Sequence, residues 1–207
     1  CIAPDHVHVH ADIRDAFEKE MVKTLREFYG DASSQNPDLG RMINDRHFQR
    51  VAALIDKARV LVGGQTDAGQ RYIAPTLLKD ISMDDAIMQE EIFGPVLPML
   101  TYQSLEELIG NLKKLPEYPL ALYLFTNSDQ VERQVLDNTQ FGGGCINNTV
   151  MHVANPNLPF GGVGESGMGA YHGKNSFDAF SHKRSILKAT TLFDIKFRYA
   201  PYKDKVN

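Results

Sequence analysis

The chain has 207 residues, a net charge of −4, 43% hydrophobic and 23% charged residues, which excludes an intrinsically disordered chain and a general nucleic-acid binder and leaves room for a real core in one or two domains. No apolar run approaches the about 20 residues that cross a bilayer, and no signal peptide is legible. Two cysteines, Cys1 and Cys145, make no disulfide framework, so a reducing compartment, the cytoplasm, is the expectation.

The elements follow in chain order. Residues 5–10, DHVHVH, alternate with period two and predict a strand start. A helix follows with Asp12 as N-cap and Asp15 three residues on. Its stripe is Ile13, Phe17, Met21, Leu25 and Phe28, and Gly30 stands at its end. Residues 31–40 read as loop. Asn44 caps a second helix with Phe48, Val51, Leu54, Ile55 and Ala58 on one face. Val60-Leu61-Val62 predicts a short strand stopped by Gly63-Gly64, and residues 71–80 are extended, with Pro75 marking an edge or a break. Residues 90–102 are part loop and part strand. Ser104 and Glu107 form a capping box ahead of Leu105, Leu108, Ile109 and Leu112. The continuous apolar run 120–125 predicts a strand covered on both faces. Ser128 opens a helix through Val131, Val135 and Leu136. Residues 142–148 hold a short strand, and 160–173 are a glycine-dense loop. Residues 183–193 predict a last strand, followed by a basic tail. Residues 183–207 carry net +5 and leave −9 on the rest. The alternation predicts an α/β fold with a largely parallel sheet, and with no repeat or Pro/Ser linker it predicts one compact unit plus a tail.

Five places could carry chemistry. Cys1 is a nucleophile if an electropositive setting activates it, and a small apolar residue otherwise. A chain that begins with Cys is a processed product or a piece of something longer. Cys145 lies in a strand and reads as a buried structural residue. His6, His8 and His10 share one strand face. Alternate strand positions lie about 7 Å apart, wide for three ligands on one ion, so a solvated face is expected and no metal site. Gly162-Val163-Gly164-Glu165-Ser166-Gly167 fits G-x-G-x-x-G but follows NPNLPF with its two prolines, so it is read as a loop and not a dinucleotide fingerprint. Glu90-Glu91-Ile92-Phe93-Gly94-Pro95 fits two accounts: a charged turn with a core Phe, or a carboxylate that accepts hydrogen bonds from cofactor hydroxyls.

Three blocks in order carry a resemblance: Cys1-Ile2-Ala3-Pro4-Asp5, QEEIFGPVLP at 89–98, and LPFGGVGESGMGAYHGKNSFDAFSHKRS at 158–185. The chain resembles the C-terminal half of an NAD(P)-dependent aldehyde dehydrogenase of the class 3 branch, over residues 1 to about 202. The resemblance implies the catalytic domain of that fold at 1–182, mostly parallel sheet flanked by helices. It implies an oligomerisation strand and basic tail at 183–207, and a dinucleotide-binding domain upstream, outside this chain. It implies Cys1 as the nucleophile, Glu91 on the nicotinamide ribose, Phe93 beside the nicotinamide, and Phe160 and His172 on the aldehyde side. The cofactor is NAD or NADP, the substrate an aldehyde, and the partner a second copy joined through the C-terminal strand. Some class 3 relatives end in an apolar membrane anchor, whereas this chain ends YAPYKDKVN, so neither a membrane span nor nucleic acid is expected. The family's general-base glutamate and oxyanion-hole asparagine precede the nucleophile, so this polypeptide alone is expected to be inactive. Two alternatives stand beside this: a non-catalytic domain fragment, and an N-terminal-cysteine amidohydrolase, which needs a layered sandwich of antiparallel sheets.

Overall fold

The computed structural model describes residues 1–115 and 118–203. Strand β1 is Val7–His10. The chain then turns through a short 3-10 segment, Ala11–Ile13, into α1, Arg14–Tyr29. The expected cap moves by two residues. His10, still extended at the end of β1, accepts the Asp12 N–H on its Nδ1 at 3.2 Å, so Asp12 lies inside the turn. Gly30 ends α1 with φ 72° and donates its N–H to the Arg26 carbonyl, a conformation that glycine adopts without a Cβ penalty. The α1 stripe divides: Phe17 and Met21 pack on Val9, Leu77 and Met99, while Ile13 and Phe28 stay exposed.

Helix α2, Asp45–Ala53, is capped as expected by Asn44, whose side chain accepts the His47 N–H at 2.9 Å. It buries Phe48 and Val51 against Ile73, Leu78, Ile92 and Val96. Strands β2 (Val60–Val62), β3 (Thr66–Asp67), β4 (Tyr72–Ile73), β5 (Thr76–Leu78) and β6 (Val96–Tyr102) follow. Four strands form one sheet in the order β1-β6-β5-β2. Strand β6 runs parallel to β1 and β5, and β2 runs antiparallel to β5. Pro75 is a break: β4 before it pairs with β3, and β5 after it joins the main sheet. Helix α3 (Leu105–Leu112) is capped by Ser104, and α4 (Asp129–Asn138) by Ser128. Between them β7 (Ala121–Leu124) pairs in parallel with β8 (Gly143–Ile146). Helix α5 is Gly173–Ala179.

Three expectations are corrected. Strand β7 is half-buried along its length and is not covered on both faces, because among the described residues it has only β8 beside it. The histidine face of β1 is not a solvated one: both His8 ring nitrogens are buried without a hydrogen-bond partner among the described residues, and His6 stands edge-on to the His8 ring at 5.3 Å. Burial, aided by His6, pushes the His8 pKa down to about 4, so the ring is neutral at pH 7. Residues 183–193 form no strand. A strand is defined by its ladder, and no sheet edge among the described residues pairs with this segment, whose Leu187, Leu192 and Phe193 are exposed. Residues 204–207 of the basic tail lie outside the described residues.

Candidate active site

The segment Cys1–Asp5 leads into β1, and the turn 90–95 leads into β6. Because β1 and β6 are parallel neighbours, their N-terminal approaches lie side by side. One bond ties them: the Ile92 N–H donates to Asp5 Oδ1 at 2.9 Å. The Cys1 amino nitrogen then lies 3.3 Å from Glu91 Oε1, with both groups exposed, so that pair contributes little to stability. The turn itself inverts the order of its side chains. Ile92 is the buried residue and Phe93 is 61% exposed, which overturns the account of Phe93 as a core residue. Phe93 has φ 50°, a left-handed conformation unusual for an aromatic. Gly94 follows against α2, where a Cβ would stand 2.7 Å from Val51 Cγ1.

The second group gathers around Phe160. Phe160 and Tyr171 exchange backbone hydrogen bonds at 3.0 and 2.9 Å, which closes the loop 160–171 on itself. The His172 ring stacks on Phe160 with centroids 5.8 Å apart, and Tyr171 stands edge-on to His172 at 4.7 Å. His172 has φ 86°, its N–H donates to Ser176 Oγ, and its Nδ1 is buried without a partner among the described residues. The glycines between serve close packing. A Cβ on Gly161 would stand 2.0 Å from the Gly169 carbonyl oxygen, and one on Gly162 would stand 2.1 Å from that of Ser166. Gly167 opens no helix and no strand precedes Gly162, so this G-x-G-x-x-G lacks the frame of a dinucleotide fingerprint.

Residues that sequence reasoning did not single out join the two groups. The Tyr123 hydroxyl on β7 donates to the Ile2 carbonyl at 2.6 Å, and burial raises the phenol's pKa. Its ring meets His152 edge-on at 5.8 Å, and His152 in turn lies 5.9 Å from Phe160. His152 Nδ1 is 3.5 Å from Cys145 Sγ, and burial lowers the His152 pKa. Cys145 is therefore half-buried with an imidazole partner, and is not the enclosed apolar residue expected. Asp5 stands inside the first quoted block, but nothing in the string says that it accepts from residue 92. Among the described residues no three His, Cys, Asp or Glu are grouped to hold a metal ion, and no helix is long and apolar enough to cross a membrane.

Residues 1–186 match the aldehyde dehydrogenase family. The chain belongs to the aldehyde dehydrogenase family. It is 49% identical over 207 residues to the 4,4'-diaponeurosporen-aldehyde dehydrogenase of Staphylococcus aureus, covering 99% of this chain and 45% of that protein. It is 48% identical over 203 residues to the dimeric NADP-preferring aldehyde dehydrogenase of Rattus norvegicus, covering 97% of this chain and 45% of the relative. The solved substrate-bound state of Staphylococcus aureus AldH superposes with a TM-score of 0.88 at 48% identity, over 99% of this chain and 45% of that one. The chain thus spans about half the length of these relatives, and the resemblance to the class 3 branch holds. The parallel ladders are those of the dehydrogenase fold, and the amidohydrolase alternative falls with them.

Proposed function

We propose that the complete polypeptide carrying this dehydrogenase segment oxidises an aldehyde to a carboxylic acid with NAD or NADP, with Cys1 as nucleophile. The observation that carries the reading is the bond from Ile92 N–H to Asp5 Oδ1, which ties the Cys1 segment to the turn that carries Glu91. The residues fit the nicotinamide–ribose end of such a cofactor. The Glu91 carboxylate is an acceptor open to solvent, as vicinal hydroxyls require, and Phe93 displays an aromatic face next to it. The Cys1 thiolate adds to the carbonyl carbon, the π pair moves to oxygen, and a tetrahedral thiohemiacetal forms. When bound, the nicotinamide cofactor accepts the hydride lost from that carbon. Cys1 then holds the acyl group as a thioester until water releases the acid and restores the thiol. Phe160 and the stacked His172 form the wall that meets the aldehyde's organic portion. Family members place the general base and the oxyanion-hole amide before the nucleophile, so this segment alone is a non-turning-over part of the site.

Residues 1–182 are read as catalytic domain and 183–207 as the segment that joins two copies. The rat relative is a dimeric NADP-preferring aldehyde dehydrogenase, and the exposed apolar side chains of 186–199 support a subunit contact here. Two free cysteines suit the reducing cytoplasm. In the complete polypeptide, Cys1→Ser is expected to abolish aldehyde-dependent NAD(P)H formation, since a hydroxyl is far less nucleophilic near neutral pH. Turnover near the wild-type rate in that variant would refute the assignment.

A further inference from the structure

Helix α2 does more than fill the core beside the turn 90–95. Arg50, on its exposed side, reaches that turn from 40 residues away in sequence. Its Nη1 donates to Glu90 Oε1 at 3.0 Å and to the Glu91 carbonyl at 3.3 Å, and its Nη2 donates to the Ile92 carbonyl at 2.6 Å. These two consecutive carbonyls precede β6, so no sheet ladder satisfies them, and the guanidinium fork meets both at once. From the opposite side Asp5 takes the Ile92 N–H. Two residues further, Gly94 lies against Val51, one position after Arg50 on the same helix. Glu91 is therefore the exposed centre of a turn whose backbone is gripped at its own carbonyl and at both polar groups of its neighbour.

We infer that Arg50 is a positioning residue: it fixes the backbone of Glu90–Ile92 so that the Glu91 carboxylate is held where the cofactor ribose is to be met. The inference rests on the reading of Glu91 given above. A lysine supplies the charge but has no planar fork, so it cannot satisfy two carbonyls and a carboxylate in the same geometry. The loss is therefore one of placement and not of charge, and it is transmitted only through Glu91.

The test is a double-mutant cycle in the complete polypeptide, read as the pre-steady-state rate of NAD(P)H formation with a saturating aldehyde. Glu91→Gln slows this step about tenfold or more, the loss of one charge-assisted hydrogen bond. Arg50→Lys is expected to slow it by several-fold to about tenfold, while the rate of Cys1 alkylation by iodoacetamide stays at the wild-type value. In the Glu91→Gln background Arg50→Lys is expected to add almost nothing, because its route of action is already gone. Arg50→Met extends the series and is expected to be worse than lysine. If it does not fold, the lysine cycle decides alone. Additive losses, or an Arg50→Lys enzyme with unchanged hydride transfer, overturn the inference and leave Glu91 in place. A Glu91→Gln enzyme with unchanged hydride transfer refutes the reading of Glu91 itself. Slowed alkylation of Cys1 in step with turnover marks a general disturbance and counts against a positioning role.

Discussion

Single residues decide how the two thiols differ. Cys1 is exposed, whereas Cys145 is half-buried with its sulfur 3.5 Å from His152 Nδ1. A histidine beside a thiol suggests an activated thiolate, but that needs an imidazolium. Burial lowers the His152 pKa, so the ring is neutral at pH 7 and offers an acceptor without a charge. We therefore expect iodoacetamide to label Cys1 well ahead of Cys145, followed by peptide mapping, and the reverse order would show that His152 does activate its neighbour. The pair matters for stability instead. Cys145→Ser keeps a group that can meet His152 Nδ1 and should change the unfolding free energy by about 1 kcal/mol or less. Cys145→Val leaves that nitrogen unpaired in a buried setting and should cost about 1–3 kcal/mol. Denaturant titration of the two variants separates these outcomes. None of this was legible in the string: Cys145 lies on β8 and His152 on the 3-10 segment Met151–Ala154 seven residues on, and their meeting depends on how the turn between them folds back.

At the scale of elements, what was legible is what is local. Asn44, Ser104 and Ser128 each accept the N–H three residues on, an interaction written into four consecutive residues. Period two found β1, and the motif blocks found Cys1 and the turn at 90–95. What failed depended on neighbours distant in sequence. The same alternation that revealed β1 could not tell that its histidine face is also covered. Residues 183–193 have strand composition but no partner ladder, and Arg50 and Tyr123 act on residues 40 and 121 positions away. The contact of α2 with the turn gives a direct test of this long-range layer. Ile92 and Val51 are buried together, and the missing Cβ of Gly94 is what lets the turn approach. Gly94→Ala should overpack this contact and cost about 1–3 kcal/mol. Val51→Ala alone should also destabilise, by opening a void. Combined, the two should partly cancel, since the new methyl fills the space the valine left. Additive losses in thermal or denaturant unfolding would mean that Gly94 is required for another reason.

At the scale of the whole molecule the charge and the apolar surface divide in the same place. Residues 183–207 hold net +5 against −9 elsewhere. The described part of that segment also exposes Ile186, Leu187, Leu192, Phe193 and Phe197, with Leu187 and Leu192 more than nine-tenths accessible. Several large apolar side chains in sequence on one solvent-facing segment support the subunit contact proposed above. The two properties act differently. If this segment joins two copies as proposed, burying the apolar side chains would supply affinity, roughly 1.5–3 kcal/mol for each one fully removed from water, while the opposite charges of tail and body would speed encounter between copies and be screened by salt. In the complete polypeptide we therefore expect Leu187→Asp with Phe193→Asp to convert a dimer to monomer, read by light scattering on a size-exclusion column. Raised salt should slow reassociation after dilution but leave the wild-type dimer largely intact. A variant that remains dimeric would place the subunit contact elsewhere. A wild-type dimer that falls apart in salt would mean that charge, and not the apolar side chains of 186–197, holds the copies together.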